Sequence, residues 1–131
     1  MSALGTKKIA FITLFVEDLP RAKTFYEAVF GSPAVFEDPH SAVYPFGNLS
    51  INLLIASEAP GLIGPAKVAG GEAGSRFQFT IPVEDVDGAC EELRGRGVEL
   101  LNGPMDRPWG VRTACFADPD GHVWELAQQL G

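Results

Sequence analysis

The sequence predicts an α+β protein built from two tandem βαβββ modules. Two observations carry that reading. First, the chain repeats itself. "FITLFVEDLPRAKTFYEAVFG" at residues 11–31 and "QFTIPVEDVDGACEELRGRG" at residues 78–97 share one order: strand, Val-Glu-Asp, amphipathic helix, glycine. Val16-Glu17-Asp18 returns as Val83-Glu84-Asp85, 67 residues later. Second, each helix is followed by strand candidates and no further helix, which excludes a simple doubly wound sheet.

The apolar run at residues 9–16 reads as the first strand and is too short to span a membrane. Asp18 is placed to cap the first helix, because its carboxylate can accept amides of the first turn. Pro20 suits a helix start. Ala22, Phe25, Tyr26 and Val29 fall on one helical face. Asp85 caps the second copy, where Val86, Ala89, Cys90 and Leu93 form the apolar face. Cys90 thus reads as a small core residue. Gly31 and Gly97 stand where left-handed C-terminal caps are expected. "SAVYPF" and "LSINLLI" flank Gly47-Asn48, a hairpin signal. Residues 98–101, 111–116 and 122–128 are the strands expected after the second helix. Asp118-Pro119-Asp120-Gly121 joins the last two as a turn. Module 1 then covers about residues 7–56 and module 2 about 76–130 of a single domain, 1–131. The Gly/Ala/Pro-rich stretch 57–75 joins them, either as a linker with some contact on the ligand side or as a mobile flap over a site.

The 131 residues are 46% hydrophobic and 21% charged, a globular composition large enough to bury a core without staples. The formal net charge of −7 argues against nucleic acid or an anionic membrane surface as partner. Lys and Arg form no basic stripe. Two cysteines without a CxxC pair and without a signal segment point to a reducing cytoplasm.

Three stretches carry a family likeness: "LFVEDLPRAKTFYEAVFG", "IPVEDVDGACEELRGRGV" and "FADPDGHVWEL". With them the chain resembles the vicinal oxygen chelate superfamily of glyoxalase I, extradiol dioxygenases, fosfomycin-resistance enzymes and bleomycin-resistance proteins. The resemblance implies a mixed eight-stranded sheet curled into a cup, with helices outside, a small-molecule ligand inside, and a homodimer. It also implies four inward metal positions, on the first and last strand of each module. These fall on Phe11, Asn52, Gln78 and Glu125. Phe11 replaces the usual His and donates nothing, and Asn52 and Gln78 are neutral amides. One carboxylate remains, whereas catalytic divalent sites use imidazole, carboxylate or thiolate donors. No metal or other cofactor is therefore expected; if a metal binds, Glu125 and Gln78 hold it.

Side chains alternate along a strand. Trp124 and Leu126 should face helix, while Val123, Glu125 and Ala127 line the cup. Glu125 reads either as a general base or as an acid hydrogen-bonded to Gln78. His40 sits in a polar loop, and His122 reads as a turn or surface residue. No GxSxG or Walker-type loop is present.

The inward set adds Ile9, Thr13, Phe15 and Thr80. Trp109 and Arg112 of "RPWGVR" stand near the mouth, and Tyr44 or Phe46 contributes from the first module. Such a pocket suits a flat or heterocyclic molecule, with Arg112 orienting an anionic or carbonyl group. Two alternatives stay open: Phe11 and Phe15 fill a collapsed cup, and Trp109 makes a dimer contact. The leading expectation is a binding protein of the bleomycin-resistance type. A divergent lyase or dioxygenase using a metal, and an accessory module without ligand, are the alternatives.

Overall fold

The structure, a computed structural model, describes Ala3 and residues 7–131. The described residues form eight strands and three α-helices. In the first repeat these are β1 (Phe11–Val16), α1 (Leu19–Phe30), β2 (Phe36–Glu37), β3 (Ser41–Phe46) and β4 (Leu49–Ile55). The intervening stretch holds the short helix α2 (Pro60–Ile63) between 3₁₀ turns at Ala56–Glu58 and Gly71–Ala73. The second repeat holds β5 (Gln78–Pro82), α3 (Val86–Gly95), β6 (Leu100–Asp106), β7 (Val111–Ala117) and β8 (Val123–Gln129). Both halves are thus βαβββ. Their sheets share one topology, β1-β4-β3-β2 and β5-β8-β7-β6, with the first pair parallel and the others antiparallel.

The helix signals act as the sequence implies. Asp18 accepts the Arg21 amide at 3.0 Å and Asp85 accepts the Gly88 amide at 3.1 Å. Gly31 and Gly97 adopt φ of 73° and 86°, the left-handed region in which a side chain costs free energy.

Two strands differ from expectation. β2, only two residues long and exposed, carries no alternating pattern that marks it. β6 begins at Leu100 rather than at 98, because the Val98 amide is bound to the Leu93 carbonyl at the end of α3. It then runs on to Asp106 through an irregular stretch. Its pairing with β7 shifts register between Leu100 and Asn102 and again between Asn102 and Met105, across Gly103-Pro104. Pro104 brings no N–H to a ladder.

The chain forms two compact units. One holds β1, the start of α1, β2–β4 and the residues through Val68; the other holds Thr24–Ser32 and Ala69–Gly131. In the first, Leu14, Val16, Ala42, Tyr44, Ile51 and Leu53 are buried, with Leu19 and Ala22 of α1. In the second, Trp124 is the centre of the core. Phe79, Tyr26, Phe30 and Phe116 surround it at ring separations of 4.7, 6.0, 6.1 and 6.4 Å. Aromatic rings at these separations attract one another beyond the gain from burial alone. Val86, Cys90 and Leu93 bury the apolar face of α3 in the same unit. No helix among the described residues is long and apolar enough to cross a membrane.

Candidate functional site

Each sheet turns one face to its own core and the other away from it. In the first unit, β1 alternates between Leu14 and Val16, both buried, and Phe11, Thr13 and Phe15 on the other side. The register aligns Thr13 with Asn52, Asn52 with Val43 and Val43 with Phe36. The Asn52 amide donates to the Thr13 hydroxyl at 3.3 Å. Phe11 is 58% exposed and Phe36 55% exposed. Phe11, Thr13, Phe15 and Asn52 therefore share one largely apolar face. Tyr44 and Phe46 do not join it. Tyr44 pairs with the buried Ile51 and is itself buried, and Phe46 has the same parity, opposite Leu49.

In the second unit, Trp124 and Leu126 are buried and Glu125 points to the opposite face. One residue from each strand forms a row across that face: Thr80, Glu125, Cys115 and Asn102. The Thr80 hydroxyl donates to Glu125 Oε1 at 2.9 Å. The acid's partner is thus its direct neighbour in the parallel pair, not Gln78. Gln78 is exposed and pairs with Val123, two residues along on the same face. Cys115 lies buried between Glu125 and Asn102 in this row. Burial pushes its thiol up, the Glu125 charge adds to that rise, and Arg107 opposes it.

Arg112 is a correction. It pairs with Gln128, which shares the Trp124 face. There its guanidinium grips both carboxylate oxygens of Asp87 on α3 at 3.0 Å, and that of Asp106 at 3.0 Å. It braces helix to sheet and is not on the Glu125 face. The arginine that is on that face is Arg107, which sequence reasoning missed. Its Nε donates to the Thr113 hydroxyl at 2.9 Å, and Thr113 is a register partner of Ala127 on the Glu125 face. Trp109 stands in the adjoining turn, closed by the Gly110 amide on the Arg107 carbonyl. Its indole is 70% exposed, with the Arg107 guanidinium carbon 6.0 Å from the ring centre.

Neither histidine joins the two faces. His40 is exposed beside Asp38. His122 ends the β7–β8 turn with its Nδ1 2.7 Å from Asp118 Oδ2.

The family model of the Glyoxalase/Bleomycin resistance protein/Dioxygenase superfamily matches residues 8–126. The chain belongs to this superfamily. Among curated relatives it is similar to the uncharacterized protein YraH of Bacillus subtilis (strain 168), 33% identical over 94% of this chain and 99% of the relative. It is also similar to metallothiol transferase FosB of Lysinibacillus sphaericus (strain C3-41), 24% identical over 94% and 83% of the two chains. Among solved structures, a glyoxalase/bleomycin resistance protein/dioxygenase from Nocardioides superposes with a TM-score of 0.83 at 26% identity, covering 94% of this chain and 83% of the other. TnmS3, an antibiotic binding protein from Streptomyces sp. CB03234, gives 0.69 at 27% identity, covering 95% and 98%.

The resemblance to metal-dependent members of the superfamily implies that an ion would be held through the positions of Phe11, Asn52, Gln78 and Glu125. That donor set does not fit a catalytic divalent ion: a phenyl ring, two neutral amides and one carboxylate. Among the described residues, no three His, Cys, Asp or Glu side chains gather to replace it.

Proposed function

We propose that this member of the superfamily is a binding protein for a flat aromatic or heterocyclic small molecule, working without a catalytic metal as a cytoplasmic homodimer. The observation that carries the reading is Phe11. A metal-binding relative needs a ligand at that position; here it holds a ring that is 58% exposed, on a face shared with Thr13, Phe15 and Asn52. An exposed ring on the working face of a sheet offers a stacking surface. Within the second unit, Glu125 with Thr80 and the exposed amide of Gln78 offer, on that unit's own face, directional contacts of the kind small-molecule sites use. The likeness to an antibiotic binding protein supports the same reading.

The dimer rests on the family resemblance and on strand edges that call for cover. Sedimentation showing only a 14.0 kDa species at micromolar concentration overturns it.

A second reading is favoured by the likeness to metallothiol transferase FosB. In it the protein is a divergent lyase or dioxygenase that holds a metal through Glu125 and Gln78. Elemental analysis separates the two. The expected result is no stoichiometric transition metal. One metal per chain, lost in Glu125→Gln, overturns the binding-protein reading. Native mass spectrometry of protein purified from its own cytoplasm then reads the mass of the retained ligand.

A further inference from the structure

We infer that the ligand carries an oxyanion, a carboxylate or an equivalent group, and that Arg107 recognises it. This deepens the binding-protein reading and rests on it.

Acidic residues outnumber basic ones, 17 to 10. Among the described residues three of the ten basic side chains make ion pairs, and these include both half-buried ones other than Arg107, namely Lys23 and Arg112. Arg112 has two, Asp87 and Asp106; Arg96 has Glu92; Lys23 has Glu37. Arg107 has none within ion-pair distance among the described residues, although it is half-buried. Its partners are neutral: the Thr113 hydroxyl at 2.9 Å and, at a marginal 3.5 Å, the side-chain oxygen of Asn102.

A guanidinium carries five N–H donors in a rigid fork. Thr113 takes Nε and Asn102 weakly engages Nη2, so donors on the outer edge remain for a second acceptor. The charge is positioned rather than floppy, because Thr113 itself is fully buried within β7. A planar fork held at one nitrogen and open along its Nη edge matches an oxyanion in bidentate geometry. Trp109 adds an exposed indole next to the same guanidinium. A flat molecule bearing an acid group can set its charge on Arg107 while its ring meets an aromatic surface. Glu125 does not neutralise the arrangement. Among the described residues it makes no ion pair with Arg107, and its carboxylate accepts from Thr80 of β5, on the far side of β8 from β7.

Isothermal titration calorimetry at low salt tests the assignment with two probe pairs: 1-naphthoate against 1-naphthamide, and indole-3-carboxylate against its primary amide. Each acid should bind about tenfold more tightly than its amide, the worth of one charge-assisted bidentate contact. Added salt should narrow that gap. Arg107→Gln should erase it and leave amide affinity within about twofold, since only the ring contacts then remain. Arg112→Gln, on the other face, should keep it. Acid and amide binding equally to the wild type, or a gap that survives in Arg107→Gln, overturns the role of Arg107 and leaves the aromatic site standing. None of the four probes binding at millimolar concentration overturns both. If Arg107→Gln does not fold, the acid-to-amide ratio of the wild type and its salt dependence decide the case.

Discussion

The Tyr26 hydroxyl donates a 2.6 Å hydrogen bond to Oδ2 of Asp118, 92 residues further along the chain. Asp118 is 5% exposed, and its carboxylate is saturated. Oδ1 accepts the amides of Asp120 and His122 at 3.0 and 2.8 Å, and Oδ2 also meets the His122 ring. Trp124 in turn donates its indole N–H to the Tyr26 oxygen at 3.1 Å. A single buried acid thus fixes the β7–β8 turn. That turn sets Ala117 opposite Val123, and so places Cys115 opposite Glu125. The polarity of the Glu125 face depends on this register, since a one-residue slip would turn Glu125 into the core.

Removing either member of the pair should therefore cost stability. Tyr26→Phe leaves Asp118 short of one donor and the Trp124 N–H without its acceptor, a loss of about 1–3 kcal/mol. Asp118→Ala releases two backbone amides, the His122 ring and Tyr26 together, and should cost more, about 3–5 kcal/mol. Urea denaturation followed by circular dichroism measures both. A Tyr26→Phe midpoint equal to that of the wild type would show that the hydrogen bond adds nothing net.

The same pair predicts a stability plateau bounded on both sides in pH. Burial alone would push the Asp118 carboxyl up, but the hydrogen bonds from His122 and Tyr26 outweigh it and hold it below the ordinary carboxylate range. Its folded value lies below the unfolded one, about 3.9. Its contribution is therefore full above about pH 4 and is lost as pH falls through the folded value. Tyr26 has the opposite sign. Burial first, then the charge of Asp118, push its hydroxyl far above the ordinary value of about 10. Its contribution is full below about pH 10 and declines as pH rises beyond that. Asp118→Asn should flatten the acid limb of stability against pH, and Tyr26→Phe should flatten the alkaline limb. Limbs that superimpose on the wild type would assign the pH dependence to other groups.

Much of this arrangement is legible in the chain, and the failures have physical causes. The Val-Glu-Asp repeat locates both caps, both helices and both parallel strands, because each is a local pattern. Gly47-Asn48 likewise fixes a hairpin through local turn chemistry. The parity that sends Trp124 to the core and Glu125 to the other face follows from the strand period. The same count, carried across the Asp118–Gly121 turn, puts Arg112 opposite Gln128 and off the Glu125 face. That signal is present, since Arg112 falls within the strand expected at 111–116, but grouping it with Trp109 at a pocket mouth passes over it. Arg107 could not be reached by counting, because the β6–β7 register shifts twice before it, between Leu100 and Asn102 and between Asn102 and Met105. The role of Asp118 was equally hidden. Its turn position is local, but its partner Tyr26 is supplied by tertiary packing.

Both thiols should be inert in the native protein. Cys90 and Cys115 are free and buried, and burial is the chief cause that pushes each thiol up. A thiolate is the reactive species, so low exposure and a raised pKa act in the same direction. Ellman's reagent at neutral pH should titrate almost no thiol in the folded protein and two per chain in guanidinium. One thiol reacting rapidly without denaturant would mean that the Cys115 row is open to solvent.

Two glycines separate backbone strain from close contact. Gly47, in the β3–β4 hairpin, has φ of 61° and open space where a side chain would go. Gly47→Ala should cost only the left-handed penalty, about 1–2 kcal/mol. Gly103 has φ of 83°, so it bears a similar penalty, but its surroundings are different. A methyl group there would stand 2.4 Å from the Thr113 carbonyl oxygen and 2.7 Å from the Ala114 Cα. Both are backbone atoms of β7, held by its ladders to β6 and β8, so neither can swing aside. Relief requires β6 to part from β7, which would also move Asn102 away from Cys115 and Arg107 away from Thr113. Gly103→Ala should therefore cost clearly more than Gly47→Ala, by a further 1–3 kcal/mol or so, the usual penalty for overpacking. If the acid-to-amide preference rests on Arg107, a Gly103→Ala protein that still folds should lose part of it, while Gly47→Ala keeps it whole. Equal urea midpoints for the two variants would mean that β6 tolerates the methyl group, and that the close approach at Gly103 does not control the position of Arg107.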